Sequence, residues 1–330
     1  MDTQQILINL AAILAGAAPL IFATMGETIT ERAGVVNLSL DGKMLLSAMT
    51  GFAVGVHTQN VLLGFVAAAG VGMLVALVLC FVSLGLRLSQ TAVGFVLALL
   101  CTDLSSFLGN PYVRIPGVAV PAMPIPVLQD LPILGKILFQ HNLLIYASFL
   151  LVPLVWWFLF RTRAGLTLRA LGERPTTAYA RGVPVLPLQM FYVLLGGALV
   201  GIAGAAYTLD LKQGWSYRHI AGTGWIALAI VIFGGWNPWR VAFGCYLFGA
   251  LQIFATRSQN LIPNIPTQIF QVAPFALMIL ILVLVNAGSN PTLQRWIERL
   301  PAPLSQPMQQ VLARLNTAAP AALGQPFRRP

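Results

Sequence analysis

Nine acidic side chains serve 330 residues, and several lie where apolar surroundings make them conspicuous. Glu27, Glu31, Arg32, Asp41 and Lys43 crowd into one polar stretch, GETITERAGVVNLSLDGK (26–43), between two apolar runs. Charges of opposite sign at this spacing can tie a broken helix together, or line a cavity that admits a polar solute. Asp103 stands alone inside the apolar run 91–109. An ionisable group at the centre of a membrane helix carries a penalty of roughly 2.5–3.5 kcal/mol on insertion scales. Asp103 is therefore expected to face the protein interior or a wet cavity. There it would bond a ligand hydroxyl, a base edge or a neighbouring helix. Trp225 offers a flat face for a base or sugar, or an anchor at the membrane interface.

No catalytic constellation accompanies these residues. His57, His141 and His219 are isolated, and Cys80, Cys101 and Cys245 sit in apolar runs without metal-ligand or disulfide spacing. The chain has no G-x-x-x-x-G-K-[S/T] loop, and Asp41-Gly42-Lys43 lacks the upstream glycine such a loop needs. The expectation is a chain without catalytic residues, metal or cofactor of its own. If ATP and Mg drive its function, they belong to a partner chain.

The elements that must position these residues follow from composition. Hydrophobic residues make up 58% of the chain and charged residues 8%, with a mean hydropathy of +0.81. A soluble protein would carry about 25% charged residues, so the bilayer replaces water as the main solvent. The reading is an all-α polytopic membrane protein with about nine transmembrane helices (8–10) and interrupted helices lining a pathway. The expected spans are 5–25, 44–56, 61–86, 91–109, 141–160, 188–209, 221–235, 239–256 and 266–286, within a membrane domain of residues 1–286. Six prolines (Pro111, Pro116, Pro121, Pro124, Pro126 and Pro132) break the loop 110–140. That loop is poor in Lys and Arg and reads as external.

The net charge of +10 is unevenly placed. Arg161, Arg163, Arg169, Arg174 and Arg181 cluster in 161–187, and Arg295, Arg299, Arg314, Arg328 and Arg329 in the tail. Both clusters read as cytoplasmic by the positive-inside rule, rather than as a nucleic-acid surface. The tail 287–330 is expected to be partly interfacial or disordered. A weak internal repeat is also visible. Spans 5–25 and 44–56, like 188–209 and 221–235, are joined by polar, glycine-containing segments.

Within 161–187, Thr167–Gly172 can form a short helix. Pro175 suits the first turn of a second one, through Ala180, closed by Gly182. Such an element either docks on a partner protein or only fixes topology.

Three ordered stretches carry a family resemblance: ERAGVVNLSLDGKMLLSAMTGF (31–52), RALGERPTTAYARGV (169–183) and GTGWIALAIVIFGGWNPWRVAFGCYLFGALQ (222–252). They resemble the permease subunits of bacterial ABC importers for nucleosides and related ligands, within the ribose/branched-chain amino acid permease superfamily. The resemblance spans roughly 10–285. It implies a multi-pass permease of the inner membrane, and three partners: an ATP-binding cassette ATPase, a second related permease in a heterodimer, and an external binding protein of the basic membrane protein type. The solute it implies is a nucleoside or a related purine-like or sugar-like compound. It makes Arg169, Gly172, Glu173, Arg174, Pro175, Ala180 and Gly182 the element that couples to the ATPase. It places Glu31, Arg32, Gly34, Asn37, Ser39, Asp41 and Gly42 near the translocation pathway, where Asp103 and Trp225 join Asn37, Ser39 and Asp41 as solute-site candidates. The sequence departs from the family at Arg174, where Asn is common, at Asp41, where Glu is common, and at Lys43, where an apolar residue is common.

Three other readings compete. An ion-coupled secondary transporter would use Asp103 and Asp41 as ion sites. A membrane-embedded enzyme would need a catalytic cluster that the sequence lacks. A non-transporting scaffold would not require polar, interrupted helices.

Overall fold

The computed structural model of the chain describes residues 3–261, scattered positions between 266 and 280, and 319–327. Ten α-helices follow in order among these residues: α1 (Thr3–Arg32), α2 (Leu40–Thr58), α3 (Val61–Cys80), α4 (Gln90–Gly109), α5 (Leu143–Arg161), α6 (Arg163–Glu173), α7 (Pro175–Ala180), α8 (Val185–Ala206), α9 (Thr223–Phe233) and α10 (Pro238–Leu261). Single π-helical turns extend α3 through Gly85 and α8 through Leu211. Five of the described helices, α1, α3, α4, α5 and α8 with their extensions, are long and apolar enough to cross a bilayer. The architecture is all-α and polytopic, with α2, α9 and α10 adding further helix to these five. The span expected at 266–286 lies largely outside the described residues, and the interfacial stretch 292–315 lies wholly outside them.

Polar caps start the helices where the chain must leave an irregular segment. The Asn60 side chain accepts hydrogen bonds from Leu62 N (2.9 Å) and Leu63 N (3.3 Å) at the start of α3. Asn142 accepts from Ile145 N at the start of α5 (3.1 Å), and Thr162 from Gly165 N at the start of α6 (3.0 Å). Each satisfies a backbone donor that has no partner within the helix. Pro19 and Pro153 lie inside α1 and α5, a placement that membrane helices tolerate because neighbouring groups meet the freed carbonyls.

The first helix departs from its expected boundary. Hydropathy ends it near residue 25, but α1 continues to Arg32. The Thr28 hydroxyl donates to Thr24 O (2.7 Å) and the Thr30 hydroxyl to Gly26 O (3.1 Å). These side chains return their polarity to the helix itself, so they do not break it. The break falls at Gly34, whose φ of +91° suits glycine.

Helix α8 sits at the centre, packed against α1, α2 and α3. Its glycines let backbones meet: a Cβ added at Gly197 or Gly201 would overlap α3, and one at Gly196 would overlap α1. In lipid, where apolar surfaces gain little by meeting one another, such close backbone approach is a main source of helix association. The buried side of α4 runs through Gln90, Gly94, Leu97, Ala98, Cys101, Ser105 and Gly109 at helical spacing, and α4 packs against α2. Its other side, with Phe95, Leu99, Leu100, Leu104 and Phe107, is exposed in the single chain.

Candidate functional site

The polar residues of the membrane region separate into three groups. The first is a sealed network between the end of α1 and the start of α2. Asn37 donates to a Glu27 carboxylate oxygen (2.9 Å), and the Ser39 hydroxyl donates to the Asn37 side-chain oxygen. The Trp236 indole N–H donates to Glu31. Arg32 donates to the carbonyls of Trp236 (3.2 Å) and Gly235 (3.4 Å) and lies over the Phe160 ring. Glu27, Asn37, Ser39 and Lys43 are all buried. Lys43 and Glu27 share this packed region, but among the described residues no ion pair within 4 Å joins them. Among the described residues, Lys43 Nζ and the second Glu27 oxygen have no hydrogen-bond partner.

Asp41 belongs to the same stretch but acts elsewhere. One of its carboxylate oxygens accepts from both Gly222 N and Gly224 N (2.9 Å each), closing the start of α9. A carboxylate there meets two orphan amides and the positive end of the helix dipole. Gly224 is required by the crossing, since a Cβ would overlap the Asp41 backbone. Gly42, next in the chain, presses against the Ala98 carbonyl in the middle of α4. The starts of α2 and α9 therefore meet halfway along α4.

The second group faces outward. Asp103, expected to face the protein interior or a wet cavity, lies on the exposed surface of the single chain. Its side chain is 71% exposed and forms an ion pair with Arg218 (2.9 Å), itself 48% exposed. Arg218 lies in the polar segment between α8 and α9, and sequence reasoning assigned it no role. Trp225, 37% exposed, stands in the first turn of α9 with its ring 6.5 Å from that of Phe95. Phe95, Leu99 and Asp103 follow one another at four-residue spacing on the exposed side of α4. The structure thus brings Asp103 and Trp225 to one face and leaves Asn37, Ser39 and Asp41 behind it.

Arg218 is held by a folded segment rather than a free loop. Trp215 is buried against Gly109 at the end of α4 and pairs with Val113 of the proline-rich segment. His219 stacks edge-on to Trp215 and its Nδ1–H donates to Ser216 O (2.7 Å). Burial pushes the His219 pKa down to about 4, so the ring stays neutral near pH 7. Nearby, Asn142 donates to Asp210, and these two residues, with Gln140, His141 and Gln213, line a cavity of about 310 Å3. Among the described residues no cluster of three His, Cys, Asp or Glu side chains could hold a metal ion.

The third group is the α6–α7 hairpin at the other end of the molecule. Helix α6 starts at Arg163, one turn before the expected Thr167, because Thr162 caps it. Pro175 opens α7, and Gly182, with φ +83°, follows its end. Glu173, Arg174, Ala180 and Gly182 are exposed and Pro175 is half-buried. Arg169 lies over the Phe160 ring at 5.1 Å. Gly172 is buried with its Cα against the end of α1, where a Cβ would overlap the Arg32 carbonyl. Gln189 of α8 donates to the Ala33 carbonyl (3.0 Å) at the same junction. The hairpin is thus seated on the chain reversal between α1 and α2.

Residues 9–282 match the family described as branched-chain amino acid transport system / permease component. The putative glucose ABC transporter permease protein TsgC13 of Haloferax volcanii is 40% identical over 265 residues, covering 78% of this chain and 80% of that protein. The nucleoside ABC transporter permease protein NupC of Lactococcus lactis is 32% identical over 297 residues (86% and 93%). The guanosine ABC transporter permease protein NupQ of Bacillus subtilis is 32% identical over 300 residues (86% and 93%). No solved structure matches the chain significantly. The chain belongs to this permease family and is a multi-pass protein of the cytoplasmic membrane.

Proposed function

We propose that this permease chain carries a nucleoside or a chemically related sugar-like solute inward, along the exposed face formed by α4 and the start of α9. It does no chemistry on the solute and holds no cofactor. An ATP-binding cassette ATPase powers it through the α6–α7 hairpin, with Arg169, Gly172, Glu173, Arg174, Pro175, Ala180 and Gly182 setting the docking register. A second, related permease covers the α4–α9 face, and an external binding protein delivers the solute.

The observation that carries this reading is the Asp103–Arg218 pair. A half-exposed ion pair beside Leu99, Leu100 and Leu104 cannot face hydrocarbon without a large penalty. It is at home where water or a polar solute passes. Asp103 can accept from sugar hydroxyls, Arg218 can donate to ring or base oxygens, and Trp225 with Phe95 can cover a ring face. The relatives named for glucose, nucleosides and guanosine agree with a polyhydroxylated ring as the shared feature.

The test is uptake in proteoliposomes holding the chain, the ATPase and the second permease, supplied with the binding protein. Labelled guanosine, other nucleosides and glucose are compared with and without ATP. ATP-dependent uptake is expected, abolished by the charge swap Glu173→Arg/Arg174→Glu. Uptake by this chain alone, driven by an ion gradient and indifferent to ATP, would overturn the reading in favour of a secondary transporter.

A further inference from the structure

The segment following Pro320 is placed against the α6–α7 hairpin, far along the chain from anything it touches. Its turn is built from two overlapping hydrogen bonds, Leu323 N to Pro320 O (3.0 Å) and Gln325 N to Ala322 O (3.1 Å), with Gly324 at φ +76°. From this turn three backbone N–H groups reach two separate elements. Ala322 N donates to the Gly172 carbonyl (2.8 Å) and Ala321 N to the Glu173 carboxylate (3.3 Å), both on α6. Gly324 N donates to the Gly34 carbonyl (3.1 Å), at the reversal between α1 and α2. Phe327 is only 6% exposed, and its ring lies 5.6 Å from that of Tyr179 on α7. One short segment therefore bonds the end of α6, the face of α7 and the α1–α2 reversal together.

The bonds go where a helix end leaves acceptors open. The last carbonyls of α6 have no intrahelical partner, and Ala322 supplies one of the missing donors. Gly34 and Gly172 already touch, so the segment reinforces an existing seam and does not bridge a gap. A hairpin pushed from outside transmits motion only if it moves as one body with the helices behind it. Such stiffness comes from contacts that share load between elements.

We propose that residues 320–327 are a clamp that positions the coupling hairpin, locking α6 and α7 to the α1–α2 reversal so that ATPase motion reaches the pathway helices. The clamp rests on the reading of α6–α7 as the coupling element. It adds Ala321, Ala322, Gly324 and Phe327 to the residues on which coupling depends, as positioning residues that need not touch the solute. It also gives the C-terminal part of the chain a task that its composition, read as interfacial or disordered, did not suggest.

The experiment measures three quantities in the reconstituted full complex: ATPase co-purification, ATP hydrolysis stimulated by the binding protein, and uptake. The variants are Phe327→Ala, which removes the anchor on α7, and Gly324→Val, which places a branched residue at positive φ beside Val36. Both should retain the ATPase and hydrolyse ATP, while solute carried per ATP falls roughly 5-fold or more, the lower end of typical coupling strengths. Unchanged transport per ATP would overturn the clamp. Loss of the ATPase from the complex would also overturn it, making the segment a docking surface instead. A third variant, Tyr179→Cys/Phe327→Cys, keeps the test decisive if the others fold poorly. Bridging the two cysteines with a short bifunctional maleimide should leave transport per ATP intact, because a clamp stays closed throughout the cycle. Inhibition by that cross-link would show a segment that must release, contrary to the proposal. If Arg174→Glu, which leaves the Glu173–Ala321 bond in place, neither displaces the ATPase nor lowers transport, the coupling reading itself falls, separately from the clamp.

Discussion

Two polar regions lie side by side in the membrane part of this chain, and they solve the same problem in opposite ways. Between α1 and α2, the carboxylates of Glu27 and Glu31 are buried and engaged by Asn37 and Trp236. On the α4–α9 face, Asp103 and Arg218 pair with each other, Arg218 also lies over the Tyr217 ring at 5.3 Å, and both remain open. A buried group left without its partner bears the full desolvation penalty, whereas an exposed one falls back on water. The first region therefore reads as scaffold and the second as a surface meant to be used. If this division holds, substitutions in the network should reduce stability far more than transport per folded molecule, and substitutions on the open face should do the reverse.

The largest effect is expected at Lys43. Lys43→Met leaves the Glu27 carboxylate without a compensating charge inside the protein, a loss of up to about 3–5 kcal/mol, the cost of breaking a closely paired buried charge. The double variant Glu27→Gln/Lys43→Met should recover much of that loss, because neither partner is then left charged. Thermal unfolding of the parent, Glu27→Gln, Lys43→Met and the double variant in detergent closes the cycle. The comparison breaks if Lys43→Met unfolds normally and yet stops uptake, since Lys43 would then belong to the pathway.

Asp41 comes next. Asp41→Ala removes the acceptor for Gly222 and Gly224, a loss of about 1–2 kcal/mol for a helix cap. Asp41→Asn keeps an oxygen in place and should retain more than half of the lost stability. Equal damage from both would mean that the negative charge, and not the hydrogen bonds, holds α9. The same melting measurement decides between them.

Much of this division was legible in the sequence, but only by type. Composition gave a polytopic helical chain, and hydropathy found the long apolar helices because lipid-facing surface must be continuous. The polar stretch 26–43 stood out, yet its first seven residues continue α1, since the threonines bond back to their own helix. The ionisable Asp103 was conspicuous within 91–109. Its partner was not, because Arg218 lies 115 residues further on and only the fold brings the two together. The α6–α7 hairpin was visible through Pro175 and Gly182, which punctuate the chain locally. The docking of 320–327 was invisible for the converse reason: its bonds come from backbone amides of alanine and glycine, which leave no side-chain signature.

An effect on stability that appears only in acid is expected at His219, which supports the open face from behind. Its folded pKa, about 4, lies below the ordinary value of 6.5. Between those values the unfolded chain binds a proton that the folded ring refuses. Stability from this group is complete above pH 6.5 and declines as pH falls toward 4. His219→Gln should flatten that part of the profile. A profile that keeps its slope in the variant would place the titrating group elsewhere.

The smallest change in stability should come from the open pair itself, and there the comparison is sharpest. Exposed ion pairs contribute about 0–1 kcal/mol, so Asp103→Ala and Arg218→Ala should melt within that margin of the parent chain. Uptake should nevertheless fall tenfold or so in each, as expected when a site loses roughly 1.4 kcal/mol of solute interaction. The charge reversal Asp103→Arg/Arg218→Asp restores the pair but exchanges its donor and acceptor positions. A purely structural pair would be rescued by that exchange. A pair that reads the solute would not, because ring or base oxygens that accepted from Arg218 would then meet a carboxylate that cannot donate. Recovery of uptake in the reversed protein would therefore assign the pair to the scaffold, beside Glu27 and Lys43. Stable protein with lost uptake would assign it to the pathway.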